Sequence, residues 1–220
     1  MIRITSVVCA ACILAACIEE DLPQADVLAI GDSVIWWNSD TEQSVADVIS
    51  DDLQRQVTNA AIPGAAFLGG LDSIPGQYQR GTWDWVVLDG GANDLGDFCG
   101  TDAAGSVLDR MIASDLASGA VPGFLARVRE DGPQVVIMGY YLSPQEGGDF
   151  AGCTDDFAVL NMRLMQYAEQ SEGVYFISAQ TVIDPANPAH YDPDLVHPSP
   201  LGSRLIGRQI AEVIRSAPPL

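Results

Sequence analysis

Three side chain types in this sequence suffice for nucleophilic catalysis by a hydroxyl if the fold brings them together: Ser33, His197 and an aspartate beside that histidine. A serine hydroxyl is a poor nucleophile near neutral pH until an imidazole accepts its proton, and the imidazole must be held in one tautomer to do so. The chain has two histidines, His190 and His197, so a histidine base has two candidates. Asp194, three residues before His197, can supply the hold, with Asp192 as the rival orienting acid. His190 has no carboxylate at that spacing and is expected to be structural. All 10 basic residues are arginine. The lack of lysine excludes a P-loop lysine, a lysine Schiff base and a pyridoxal phosphate linkage. Two histidines also make a poor metal cluster, so neither metal nor cofactor is expected.

These residues need elements to hold them. Val27 to Ile30 is a short apolar run delivering the polar Gly31-Asp32-Ser33, the pattern of a buried strand ending in a loop. Further strands are expected at Val57 to Ile62, Trp85 to Leu88, Val135 to Tyr140 and Val174 to Ser178. Between them, Val45, Val48, Ile49 and Leu53 recur at helical spacing, and helices are expected near Gly105 to Leu116, Gly123 to Arg129, Phe157 to Ala168 and Pro200 to Arg215. Continuous apolar strands alternating with helices predict an α/β fold, a three-layer α/β/α sandwich on a five-stranded parallel sheet of order 2-1-3-4-5. Ligands bind such sheets at the carboxyl ends of the strands. Ser33, Gly64 and Asn93 lie just beyond three of those ends, and Asp194 and His197 precede the last helix.

In order and placement these residues resemble the conserved blocks of the SGNH or GDSL hydrolase family. Gly31-Asp32-Ser33-Val34 resembles the nucleophile block, with valine for the usual leucine; Asn59 with Gly64 the second; Gly91-Ala92-Asn93-Asp94 the third; Asp194-Leu195-Val196-His197 the last. The resemblance spans nearly the whole chain beyond residue 25. It implies the SGNH hydrolase fold and a carboxylester hydrolase with Ser33 as nucleophile, His197 as general base and then acid, and Asp194 as orienting acid. It also implies an oxyanion hole from the backbone N–H groups of Ser33 and Gly64 and the side chain of Asn93. The G-x-S-x-G elbow of the other large hydrolase class is absent.

Arg3 precedes an apolar run from Ile4 to Ala16, the length of a secretory core and too short to span a bilayer. Its end, Leu14-Ala15-Ala16-Cys17, resembles the lipobox of bacterial lipoproteins, in which the cysteine is lipidated. The expected organisation is therefore a signal peptide over 1–16, a polar tether over 17–25 and one domain over 26–220, held at the cell envelope by lipid on Cys17 and facing the periplasm or exterior. Export would leave Cys99 and Cys153 as the only unlipidated cysteines, an even pair expected to form a disulfide.

The formal net charge of -20 repels phosphate backbones and excludes nucleic acid as a natural partner. The expected substrate is a small-molecule or glycan acyl ester. An acyltransferase using the same acyl-enzyme, and a lipid-anchored binding module without catalysis, are the alternatives. Trp36, Trp37, Tyr140 and Tyr141 stand near the expected active edge, where they bind sugar rings, wall an acyl pocket or simply pack.

Overall fold

The computed structural model describes residues 27–70, 72–144 and 150–218. The expected signal peptide, Cys17 and the tether lie outside the described residues. Five strands, β1 (Val27–Ile30), β2 (Val57–Asn59), β3 (Trp85–Leu88), β4 (Gln134–Gly139) and β5 (Val174–Ser178), form one parallel sheet in the order β2-β1-β3-β4-β5. They alternate with helices α1 (Ser33–Trp36), α2 (Val45–Leu53), α3 (Ile74–Gln77), α4 (Ala92–Leu95), α5 (Ala104–Met111), α6 (Ala120–Glu130), α7 (Thr154–Gln170) and α8 (Pro200–Ser216).

Burial explains why three strands read as unbroken apolar runs. Every residue of β1, β3 and β4 is buried, because helices cover both faces of the sheet's centre, whereas the edge strands β2 and β5 are only partly buried. On one side α8 packs against β4 and β5 and carries α2. On the other, α7 packs against the same strands, with α5 beside it and α6 against β4. Gly207 permits the close approach of α8 to α2, since a Cβ there would lie 2.7 Å from the Val48 side chain. A capping box starts α2: the Ser44 backbone N–H donates to Asp47 Oδ2 at 2.9 Å and the Asp47 N–H returns a bond to Ser44 Oγ at 3.2 Å.

Two expected elements are shorter. The second strand stops at Asn59, yet the chain still follows β1: the Ala60 N–H donates to Ala29 O and the Ile62 N–H to Gly31 O. The helix expected to reach Leu116 ends at Met111, because Asp115 accepts from the Ala117 and Ser118 N–H groups and folds 113–118 into a turn. With all strands parallel, the carboxyl ends of β1, β3 and β4 lie on one edge, the edge that carries Ser33, Asn93 and Tyr140.

Candidate active site

Ser33 opens α1, a single turn directly after β1, rather than sitting in a loop. Gly31, at φ +147°, is clamped on both sides by Gln77: its N–H donates to Gln77 Oε1 at 2.7 Å and its carbonyl accepts from Gln77 Nε2 at 2.9 Å. Asp32 caps the turn by accepting from the Val34 N–H at 2.9 Å. Gly64 and Asn93 lie in the segments after β2 and β3, each five residues beyond the end of its strand. Gly64 has φ +79°, a conformation that favours glycine. Asn93, in α4, donates its side-chain amide to Ala65 O at 3.0 Å and to Asp32 Oδ2 at 3.3 Å. The next residue, Asp94, accepts from the Phe67 and Leu68 N–H groups at 2.6 and 2.7 Å, tying the loop after Gly64 to α4.

His197 arrives on a tight loop bounded by the Tyr191–Pro198 bridge. Its Nε2 lies 2.8 Å from Ser33 Oγ and its Nδ1 2.5 Å from Asp194 Oδ2. The other oxygen of Asp194 accepts from the backbone N–H groups of Val196 and His197, both at 2.9 Å. Partial burial works to raise the Asp194 pKa, but the hydrogen bonds from the His197 side chain and backbone and from Val196 outweigh it and hold the carboxylate below its ordinary value. Asp192 serves through its backbone, whose N–H donates to His197 O and whose carbonyl accepts from Leu195. His190 is structural: its Nδ1 accepts from the Asp184 N–H and its Nε2 meets the Asn187 amide.

The indole of Trp37 lies flat on the His197 ring, with centroids 3.6 Å apart and planes within 4°. The stack fixes the plane of the imidazole and offers a π face to the positive charge that a base gains on protonation. Adjacency of Trp37 to the nucleophile turn was the only sequence signal for this contact.

Beneath Ser33 lies a second arrangement, buried and acidic. The Asp32 N–H donates to Asp89 Oδ1 at 2.8 Å, and the Tyr140 hydroxyl donates to Asp32 Oδ2 at 2.6 Å. Burial first, then the charge of Asp32, push the Asp89 carboxyl well above the usual carboxylate range. Asp89 is thereby favoured in its protonated form, and its Oδ2 has no hydrogen-bond partner among the described residues. Burial also raises Asp32, against hydrogen bonds from Tyr140 and Val34. An acidic residue ending an apolar strand, Trp85 to Asp89, was the overlooked sequence signal.

The sign of the consequence is fixed by linkage. Unfolded, Asp89 ionises near its ordinary value of about 4; folded, it does so much higher, so between those points the native state binds more protons and stability falls as pH rises. Asp89→Asn keeps an acceptor for the Asp32 N–H while removing the titration. Its melting temperature is expected to decline less than the wild type's from about pH 4 to about pH 8. An Asp89→Asn slope equal to the wild type's in calorimetric scans across that range would show that Asp89 is not its source.

Cys99 and Cys153 are joined in a disulfide across a separation of 54 residues, linking the segment after α4 to the start of α7. On the chain-entropy account a loop of this size contributes about 4 kcal/mol. Ser33, Gly64, Asn93, Asp194 and His197 all line one cleft of about 640 Å³, beside Trp37 and Phe150. Among the described residues, no group of three or more His, Cys, Asp or Glu side chains gathers where it would hold a metal ion.

The comparisons with known proteins show the family and the fold. Residues 29–205 match the model of the GDSL-like Lipase/Acylhydrolase family, an interval that contains every residue of the cleft. Solved structures of the same fold include a carbohydrate acetylesterase from Sinorhizobium meliloti, at 16% identity, covering 87% of this chain and 99% of that one with a TM-score of 0.56. An aryl esterase from M. smegmatis is similar at 18% identity, 87% and 99% coverage and a TM-score of 0.57. A carbohydrate esterase family 2 enzyme from Corynascus thermopiles matches at 14% identity over 88% of this chain and 66% of its own, with a TM-score of 0.63. No curated protein matches the sequence. With the family match running from the first strand into the last helix, the chain belongs to the GDSL-like lipase/acylhydrolase family, the SGNH hydrolases, and is a serine ester hydrolase.

Proposed function

We propose that Ser33, His197 and Asp194 are the catalytic triad of a carboxylester hydrolase working through an acyl-serine intermediate. The observation that carries the reading is the unbroken hydrogen-bonded chain from Asp194 through His197 to Ser33, at 2.5 and 2.8 Å. With Nδ1–H donating to Asp194, Nε2 is the free acceptor and takes the Ser33 proton as Oγ bonds the ester carbonyl carbon. The resulting oxyanion meets the N–H groups of Ser33 and Gly64 and the Asn93 amide. The Asn93 hydrogen directed at Asp32 at 3.3 Å is the one it offers, since the 3.0 Å bond to Ala65 anchors the other. Collapse expels the alcohol, which takes the proton from His197. Water then adds to the acyl-enzyme, giving a proton to His197 that returns to Ser33 as the carboxylic acid leaves.

In this reading residues 26–220 act as one domain, exported and held at the bacterial cell envelope by lipid on Cys17, on an envelope or extracellular acyl ester. The lipobox-like Leu14-Ala15-Ala16-Cys17 supports the anchor. The likeness in fold to enzymes described as carbohydrate esterases supports a sugar-borne ester. One experiment tests site and location together. Expressing bacteria are fractionated and reacted with a fluorescent fluorophosphonate, which labels activated serines. The wild type is expected to be labelled in the membrane pellet, Cys17→Ser in the soluble fraction, and Ser33→Ala in neither. Unlabelled wild type would refute the nucleophile, and wild type labelled only in the soluble fraction would refute the anchor.

A further inference from the structure

Beside the open cleft lies a second, much smaller cavity of about 30 Å³. Four residues, Ser33, Asn93, Phe150 and Val196, line both spaces, so the small cavity adjoins the large one at the serine itself. Its remaining walls include Val34, Ala92, Tyr140, Tyr141 and Phe157. The hydroxyls of both tyrosines are already bonded, Tyr140 to Asp32 and Tyr141 to Val196 O at 2.7 Å, which leaves ring carbon to face the space. The lining is therefore chiefly apolar and aromatic.

An ester carbonyl attacked by Ser33 has two substituents to place. The alcohol part, which leaves and is replaced by water, requires the side open to solvent. The acyl part is then left with the cavity. A water molecule needs about 10 to 15 Å³ by this measure of volume, so the cavity admits about two such occupants, the scale of a methyl group rather than an alkyl chain.

The side of the cavity that would have to yield is packed on aromatic neighbours and tied to the disulfide. Phe150 packs on Phe157 with ring centroids 5.9 Å apart, and Phe157 stacks on Tyr140 at 5.2 Å. The Phe150 carbonyl accepts from the Cys153 N–H at 2.9 Å, and Cys153 is buried and joined to Cys99. The Gly100 N–H adds a bond to Asp156 across the same rim at 2.8 Å. A longer acyl chain would have to displace a ring that its neighbours and the covalent bridge hold in place, and overpacking of such sites is unfavourable.

We infer that the cavity behind Ser33 is an acyl pocket sized for acetyl, with Phe150 as the residue that sets chain length; the chain is on this view a deacetylase of its ester substrates. The inference rests on the proposed Ser33 mechanism and narrows its substrate.

The test is kcat/KM for p-nitrophenyl acetate, butyrate, hexanoate and octanoate with wild type, Phe150→Ala, Phe150→Leu and Ser33→Ala, folding being checked by circular dichroism. A methylene too many in a fitted pocket typically costs about 10-fold or more. The wild type is expected to lose about 100-fold from acetate to butyrate, and Phe150→Ala to raise the butyrate-to-acetate ratio of kcat/KM about 10-fold. Phe150→Leu, a milder truncation, should fall between and stands in if the alanine variant fails to fold. Wild-type hydrolysis of butyrate or hexanoate as fast as acetate would overturn the pocket and leave the esterase reading standing. A chain-length profile unmoved in both Phe150 variants would overturn the role of that ring. Absence of Ser33-dependent hydrolysis of any of the four would instead overturn the mechanism beneath both.

Discussion

Ser33→Ala is expected to lower kcat for p-nitrophenyl acetate by about 10⁴- to 10⁶-fold with little change in KM. The size follows from what the hydroxyl does: without it no acyl-enzyme forms, and the cleft and oxyanion donors retain only the residual catalysis of binding and electrostatics. The substitution is structurally mild. The serine hydroxyl meets His197, whereas α1 is held by backbone groups, the Asp32 cap and the Gln77 clamp on Gly31. Alanine is also the best helix former. His197→Ala should cost a similar factor, and the double variant scarcely more than either, because residues acting in one step lose their effect together. Steady-state rates on the three proteins, with melting curves to show that each is folded, decide the matter. Ser33→Ala retaining a tenth of the wild-type rate would remove the serine from the mechanism.

How this site could be foreseen differs residue by residue. The strands β1, β3 and β4 were legible because a strand buried on both faces admits few polar residues, and α2, α7 and α8 because a half-covered helix repeats its apolar face. One-turn helices were not. α1, α3 and α4 are four residues each, too short for any periodicity; Asp32 caps α1, Ser73 caps α3, and α4 is held by the bonds of Asn93 and Asp94 to the loop after Gly64. His197 was legible because histidine is scarce in this chain and an aspartate precedes it at the required spacing. The supports of the site were not, since they join residues distant in sequence: Gln77 on Gly31, Asp89 under Asp32, and the Trp37 ring on His197. Such contacts depend on the crossing of loops from separate strands, which no local pattern encodes. The disulfide was an exception, a long-range contact legible because the expected export leaves one pair of unlipidated cysteines, which has only one way to combine.

The orienting role proposed for Asp194 yields the second large effect, and here the geometry dictates which atom goes where. Asp194→Asn is expected to lower kcat by about 10⁴-fold while leaving the fold intact. One carboxylate oxygen of Asp194 accepts two backbone N–H bonds, from Val196 and His197. In the asparagine variant only the carbonyl oxygen can take that place, since an NH₂ group there would face two donors. The NH₂ group is then turned toward His197 Nδ1, which must become an acceptor and give up its proton. The neutral ring carries its hydrogen on Nε2, aimed at Ser33 Oγ, and can no longer receive the serine proton. A mere loss of negative charge would not predict so specific a failure. Asp192→Asn supplies the contrast: that residue contributes its backbone N–H and carbonyl to the loop, which the substitution preserves, and the rate should stay within a few-fold of wild type. The tautomer itself is readable from the ring nitrogen chemical shifts of His197 in isotopically labelled protein. A hydrogen still on Nδ1 in Asp194→Asn, or an equal loss in Asp192→Asn, would reassign the acid that holds the histidine.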